Sequence, residues 1–113
     1  MQRGLLSALS NPYLGPALMA MHQQVQRAWS VAILAAHAHL SRAAFARRFV
    51  EAIGVTPMVY LTRLRMQLAR SALAERGISV AEAAGMTGYA TEASFIRAFK
   101  RTHGCSPGAP RSA

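Results

Sequence analysis

The sequence contains no Asp, and its only acids are Glu51, Glu75, Glu82 and Glu92. Against these four stand 13 Lys and Arg, all but Lys100 being Arg, which leaves a net charge of +9 over 113 residues. Such a surface attracts polyanions, meaning nucleic acid or an anionic membrane face. Cysteine is nearly absent as well. Cys105 stands alone, so there is no disulfide framework and the expected compartment is the cytoplasm. Long apolar runs are missing: nothing approaches the ~18–20 residues of a spanning helix. Residues 1–10 hold one Arg among broken apolar positions, which does not make a secretory signal.

Catalysis requires a nucleophile, a base or metal ligands that converge. The four Glu are scattered, and His37 and His39, two apart, do not share a helix face. Cys105 lacks a cysteine partner for zinc. His22 and His103 read as structural or surface residues, and Trp29, Tyr60 and the methionines as core. The expectation is therefore no enzyme, no cofactor and no metal.

What the chain does have is an apolar content of 52%, enough for one modest core, and an internal repeat. At one offset, Ser41-Arg42-Ala43-Ala44-Phe45-Ala46-Arg47-Arg48-Phe49 lies over Thr91-Glu92-Ala93-Ser94-Phe95-Ile96-Arg97-Ala98-Phe99. Gly54 then falls over Gly104, Thr56 over Ser106 and Pro57 over Pro107. Upstream the offset slips by one residue, near Ala90, placing Ser30-Val31-Ala32 over Ser79-Val80-Ala81.

The ends of each copy have chemical causes. Ser30, Ser41, Ser79 and Thr91 sit where N-caps are needed, and Ser79 with Glu82 forms a capping box. Gly54 and Gly104 follow the second helices as left-handed C-caps. Thr56-Pro57 and Ser106-Pro107 read as a cap plus Pro at the first helical position. Each copy is thus a short helix, a turn and a helix of about three turns, a helix-turn-helix.

The predicted fold is all-α. A first helix-turn-helix spans about 30–54 and a second about 79–104, joined by a long helix over 57–76 with Leu61, Leu64 and Leu68 on one side. A further helix is predicted over about 15–27, and 1–13 reads as a poorly ordered lead-in or remnant linker.

At ~100° per residue, with Phe45 at zero, Phe49 and Ala52 fall in one buried stripe, repeated by Phe95, Phe99 and Thr102. The outward positions carry Ala43, Ala46, Arg47 and Val50 in one copy, and Ala93, Ile96, Arg97 and Lys100 in the other. Small residues let a helix enter a groove deeply, and Arg can bind guanine bidentately. Ile96 is placed to meet a thymine methyl. Taken singly, Arg47 and Arg97 read as solvated surface; their equivalence across the repeat points to DNA instead. Arg42, Arg48 and Arg101 flank these faces and suit phosphates. Glu92 can accept from a cytosine N4 or simply favour its own helix N-terminus. A connecting helix of roughly 30 Å matches the ~34 Å turn of B-DNA that separates two half-sites.

The run Gly88-Tyr89-Ala90-Thr91-Glu92-Ala93-Ser94-Phe95-Ile96-Arg97-Ala98-Phe99-Lys100-Arg101, followed by Gly104 and Ser106-Pro107, resembles the signature of the AraC/XylS family's C-terminal DNA-binding domain. Leu40-Ser41 through Phe49, Gly54-Val55-Thr56-Pro57, Tyr60-Leu61 and Arg65-Met66 resemble its first unit and connecting helix. The resemblance covers about residues 14–108. It implies a homeodomain-like bundle of about seven helices in a bacterial transcription regulator, such as an activator, that binds double-stranded DNA and in many members contacts RNA polymerase. It places DNA contacts at Ser41, Arg42, Ala43, Ala46 and Arg47, and at Thr91, Glu92, Ala93, Ile96, Arg97 and Lys100. Many members add a sensor domain, and no small-molecule effector domain is expected here. His39 stands where the family often has Gly, and Ala83, Gly85 and Thr87 where bulkier or better helix-forming residues are usual.

Two rival readings explain less. An amphipathic membrane-surface protein accounts for the charge but not for duplicated caps and prolines. A truncated, effector-less fragment acting as a helical interaction module or decoy accounts for the helices but gives the paired arginines no role.

Overall fold

The computed structural model describes residues 2–108, with side chains from Gly4 onward, and every regular element among them is helical. In chain order these are α1 (Gln2–Leu9), α2 (Leu14–Gln23), α3 (Val31–His37), α4 (Arg42–Ile53), α5 (Pro57–Ser71), α6 (Val80–Met86) and α7 (Glu92–His103). The residues group into two compact units, 1–61 and 62–113, and the boundary falls inside α5.

Each helix-turn-helix begins with the expected caps. The Ser30 hydroxyl accepts from the Ile33 N–H at 3.2 Å, Ser41 from Ala44 at 3.1 Å, Ser79 from Glu82 at 3.0 Å and Thr91 from Ser94 at 3.1 Å. Each such cap contributes about 1 kcal/mol by pairing an N–H that the helix itself cannot satisfy. The Glu82 carboxylate completes the box by accepting from the Ser79 N–H at 3.1 Å. These Ser79 bonds hold its carboxyl below the usual value, the backbone one most strongly. At the far ends Gly54 and Gly104 adopt φ of +96° and +78°, and their N–H groups donate to Val50 O and Lys100 O, both at 2.8 Å.

The repeat extends to hydrogen bonds within the turns. His39 donates to Ala36 O and Gly88 to Gly85 O at 3.2 Å; Leu40 donates to Ala35 O and Tyr89 to Ala84 O at 3.0 Å. From Leu40 and Tyr89 one chain step leads to the cap Ser41, but two lead to Thr91, so Ala90 is the inserted residue.

In unit 1 the core forms around Phe45 and Phe49, both fully buried, with Leu14, Leu18, Met21, Leu34 and Leu61. Trp29 is 6% exposed and its Nε1–H donates to Gln24 O at 2.8 Å, so the ring fills the corner between α2 and α3 with its polar atom paired. In unit 2 the core gathers Met66, Leu73, Phe95 and Phe99 with four alanines, Ala69, Ala83, Ala84 and Ala98. The ring pairs repeat closely: Phe45 and Phe49 lie 5.7 Å apart at 49°, Phe95 and Phe99 5.8 Å apart at 49°.

Several expectations differ from what is seen. The segment read as a poorly ordered lead-in carries α1, which packs on α2 and α4 with Ala8 buried. Close approach of backbones makes this possible. A β-carbon on Gly4 would stand 2.5 Å from Ala52 O, and one on Gly15 2.5 Å from Leu9 O. The helix predicted over 15–27 ends earlier, at Gln23. The long helix does run from Pro57 to Arg76, but its last five residues, Ala72–Arg76, widen into a π-turn before Gly77 at φ +64°. Its buried side is not the leucine stripe: Leu61 is buried, but Leu64 is half-buried and Leu68 37% exposed, while Met66, Ala69 and Leu73 face the unit 2 core. Thr102, placed in the buried stripe, is exposed. Ala98 takes the buried place, and neighbouring His103 turns Nε2 to the Met66 carbonyl at 3.1 Å. The helix expected to begin at Pro107 is not seen at Pro107 and Gly108, which make a turn, and the rest of it would fall on 109–113, outside the described residues.

Candidate nucleic-acid interface

The second helix of each helix-turn-helix, α4 and α7, is held from one side by its phenylalanines, which leaves the opposite side open. On α4 and its cap, Ser41, Arg42, Ala43 and Arg47 are exposed, and Ala46 is half-buried. On α7 and its cap, Thr91, Glu92, Ala93, Arg97 and Lys100 are exposed, and Ile96 is half-buried because it also packs against the unit 2 core. Nine of the eleven expected positions are thus open to a partner, four on α4 and its cap and five on α7 and its cap, and all nine but Ala43 and Ala93 are polar or charged. Each unit gathers its own set, so two separate surfaces result, each with one arginine a turn beyond small residues.

Electrostatics within each surface differ. Arg47 reaches Glu51 one turn on, at 4.0 Å, with both side chains 67% exposed. A pair so exposed is worth little to stability, and the guanidinium exchanges it for a better acceptor at small cost. On α7, Thr91 Oγ1–H donates to Ser94 Oγ at 3.0 Å while also capping the helix, which uses much of that hydroxyl's capacity. Glu92 stands in the first turn of α7, where a carboxylate favours the helix dipole.

Two cations of the units lie over aromatic rings. Arg48, expected to meet phosphate, lies over Tyr13 with its Cζ 5.0 Å from the ring centre. In unit 2, Arg65 lies over Tyr89 at 5.8 Å. Burial lowers the Arg65 pKa, partly offset by Tyr89, and raises that of Tyr89, partly offset by Arg65 and Arg101. The helical-wheel reading missed one further basic group: His37 ends α3, His39 lies off the helix in the turn, and with Arg27 they line one cleft in unit 1. The available signal was His39 at a position that the second copy fills with Gly88.

No group of three or more His, Cys, Asp or Glu placed to hold a metal occurs among the described residues, and none of their helices is long and apolar enough to cross a membrane.

Two copies of one helix-turn-helix, each with a capped and exposed second helix, define a fold class of DNA-binding domains. A family profile described as a helix-turn-helix domain matches residues 34–113. The chain belongs to this helix-turn-helix family, in its AraC type. It is 41% identical over 107 residues to the RCS-specific HTH-type transcriptional activator RclR of Escherichia coli (strain K12), covering 95% of this chain and 38% of that protein. It is 40% identical over 105 residues to a putative AraC-like transcription regulator of Streptomyces lividans, covering 93% of this chain and 34% of that one. The chain therefore spans little more than a third of the length of these relatives. Among solved structures, the DNA-binding domain of the global transcriptional factor AdpA, determined in complex with a target DNA, is similar at a TM-score of 0.80 and 31% identity, over 87% of each chain.

Proposed function

We propose that these residues are the DNA-reading part of a bacterial, cytoplasmic transcription regulator, with α4 and α7 each entering the major groove of one duplex. The observation that carries this is the equivalence of Arg47 and Arg97. Both are exposed, both are the sixth residue of a helix capped by Ser or Thr, and both have small residues one turn before them. An arginine among small neighbours on a groove-width helix is suited to guanine. Ser41, Arg42 and Thr91 lie at the helix starts, from which a recognition helix reads base edges, and Lys100 is exposed about one turn beyond Arg97. The similarity to a domain solved on its target DNA supports the same partner.

On this reading double-stranded DNA is the first partner and RNA polymerase the second, the output is activation as in the name of RclR, and no effector-binding or catalytic role falls to these residues. Selection of bound duplexes from a random pool, repeated across salt, tests it. Enrichment of a bipartite site with half-sites about 10 bp apart is expected. Affinity falls steeply with salt as counterions are released. No enrichment at low salt, with helical circular dichroism intact, points to a protein-interaction module instead.

A further inference from the structure

Unit 1 carries an open cleft of about 390 Å³ lined by Arg27, Ile33, Ala36, His37 and His39. Ile33, Ala36 and His37 share one face of α3, since they stand three and four residues apart. Trp29 braces the cleft wall: Arg27 lies over its ring at 4.6 Å and His37 meets it edge-on at 5.5 Å. Because Trp29 is itself buried and hydrogen-bonded, it holds both side chains against a fixed plate. No carboxylate lines the cleft. The only acid before position 62 is Glu51, which is turned to Arg47.

His39 adds a second line of argument. It adopts φ +57°, the one positive value at a non-glycine among the described residues. The second copy makes the same turn with Gly88 at φ +84° and the same backbone bond. The turn therefore suits glycine, and a histidine held at positive φ there motivates a use beyond the fold. The remaining equivalents in the second copy are Arg76, Glu82, Gly85 and Met86. Both imidazoles are lost there, and a carboxylate stands where the first copy has Ile33. The chemistry of the cleft belongs to the first copy alone.

We propose that this cleft binds a phosphate group, with Arg27 supplying charge and the His37 and His39 ring N–H groups donating to phosphate oxygens. Resting on the DNA-binding reading, the phosphate is one of the duplex backbone beside the first half-site, because the first helix of a helix-turn-helix crosses the backbone. A free phosphorylated molecule presents the same group, and the experiment separates the two sources.

The variants are H39G, which keeps the turn that the second copy makes, and R27Q, with duplex binding measured across salt. H39G is expected to melt no lower than the parent chain yet to bind severalfold more weakly on specific and random duplexes alike. R27Q is expected to lower the slope of log affinity against log salt by about one. Unchanged affinity in H39G together with an unchanged slope in R27Q overturns the phosphate site while leaving the DNA-binding reading intact. In parallel, His ring NMR signals of the parent chain are followed as inorganic phosphate is added. Selective movement of His37 and His39 without any duplex binding keeps the phosphate site and removes the duplex as its source. No movement and no duplex binding overturns both.

Discussion

The His22 ring and the Tyr60 hydroxyl lie 2.6 Å apart, joining α2 to the first turn of α5 by a hydrogen bond between residues 38 apart in sequence. Their rings also tilt together at 5.9 Å, and Tyr60 in turn sets its edge on Phe49 at 5.6 Å. This chain of contacts ties the start of the connecting helix to the core beneath α4.

Burial lowers the His22 pKa below its ordinary 6.5 and raises that of Tyr60. A histidine whose folded pKa is depressed binds fewer protons folded than unfolded. Its contribution is complete above the ordinary value and is lost as the pH falls through the folded one. Melting temperature should therefore drop between pH 7 and pH 5, and His22→Gln should flatten that part of the profile. An identical profile in His22→Gln contradicts the assignment.

Gly85 lies inside α6, and a β-carbon there would meet nothing within 4 Å. Gly85→Ala should stabilise by about 0.5–1 kcal/mol, because glycine in a helix interior leaves the unfolded chain more freedom to lose. Gly54→Ala should do the opposite, since φ +96° strains any β-carbon although the space is open. Thermal melts of the two variants should move in opposite directions.

The second unit should open more readily than the first. Four of the eight buried members of its core are alanines, against four of the fifteen buried hydrophobic residues described in unit 1, which also include Trp29, Tyr60 and four leucines. Less apolar area buried per residue means a lower free energy of local opening. Amide hydrogen exchange should be faster across residues 79–103 than across 30–54; the reverse order contradicts this.

The caps were legible in the sequence because they are local. Ser30, Ser41, Ser79 and Thr91 satisfy N–H groups three residues away, and Gly54 and Gly104 answer a backbone angle, so neighbours in sequence decide them. What depends on partners far along the chain was not legible. α1 forms where Gly4 and Gly15 let backbones touch, a condition that no periodicity in residues 1–13 announces. The wheel centred on Phe45 placed the buried stripe correctly at Phe49 and Phe99 but not at Thr102. Rotation of a helix in its socket depends on what the other wall supplies, here the Met66 carbonyl that receives His103. The same reason leaves Ala46 and Ile96 half-covered at positions that the wheel turns outward. His37 and His39 looked unrelated on an ideal helix and line one cleft because the helix ends between them.

Base reading by two equivalent arginines is tested most directly by repeating the duplex selection with Arg47→Ala and with Arg97→Ala. Each variant should relax one or two base pairs, in different half-sites, at a cost of about 1–3 kcal/mol at the affected positions. Relaxation of the same positions by both variants, or a uniform loss over all sequences, would contradict a duplicated reader and leave the arginines as phosphate contacts.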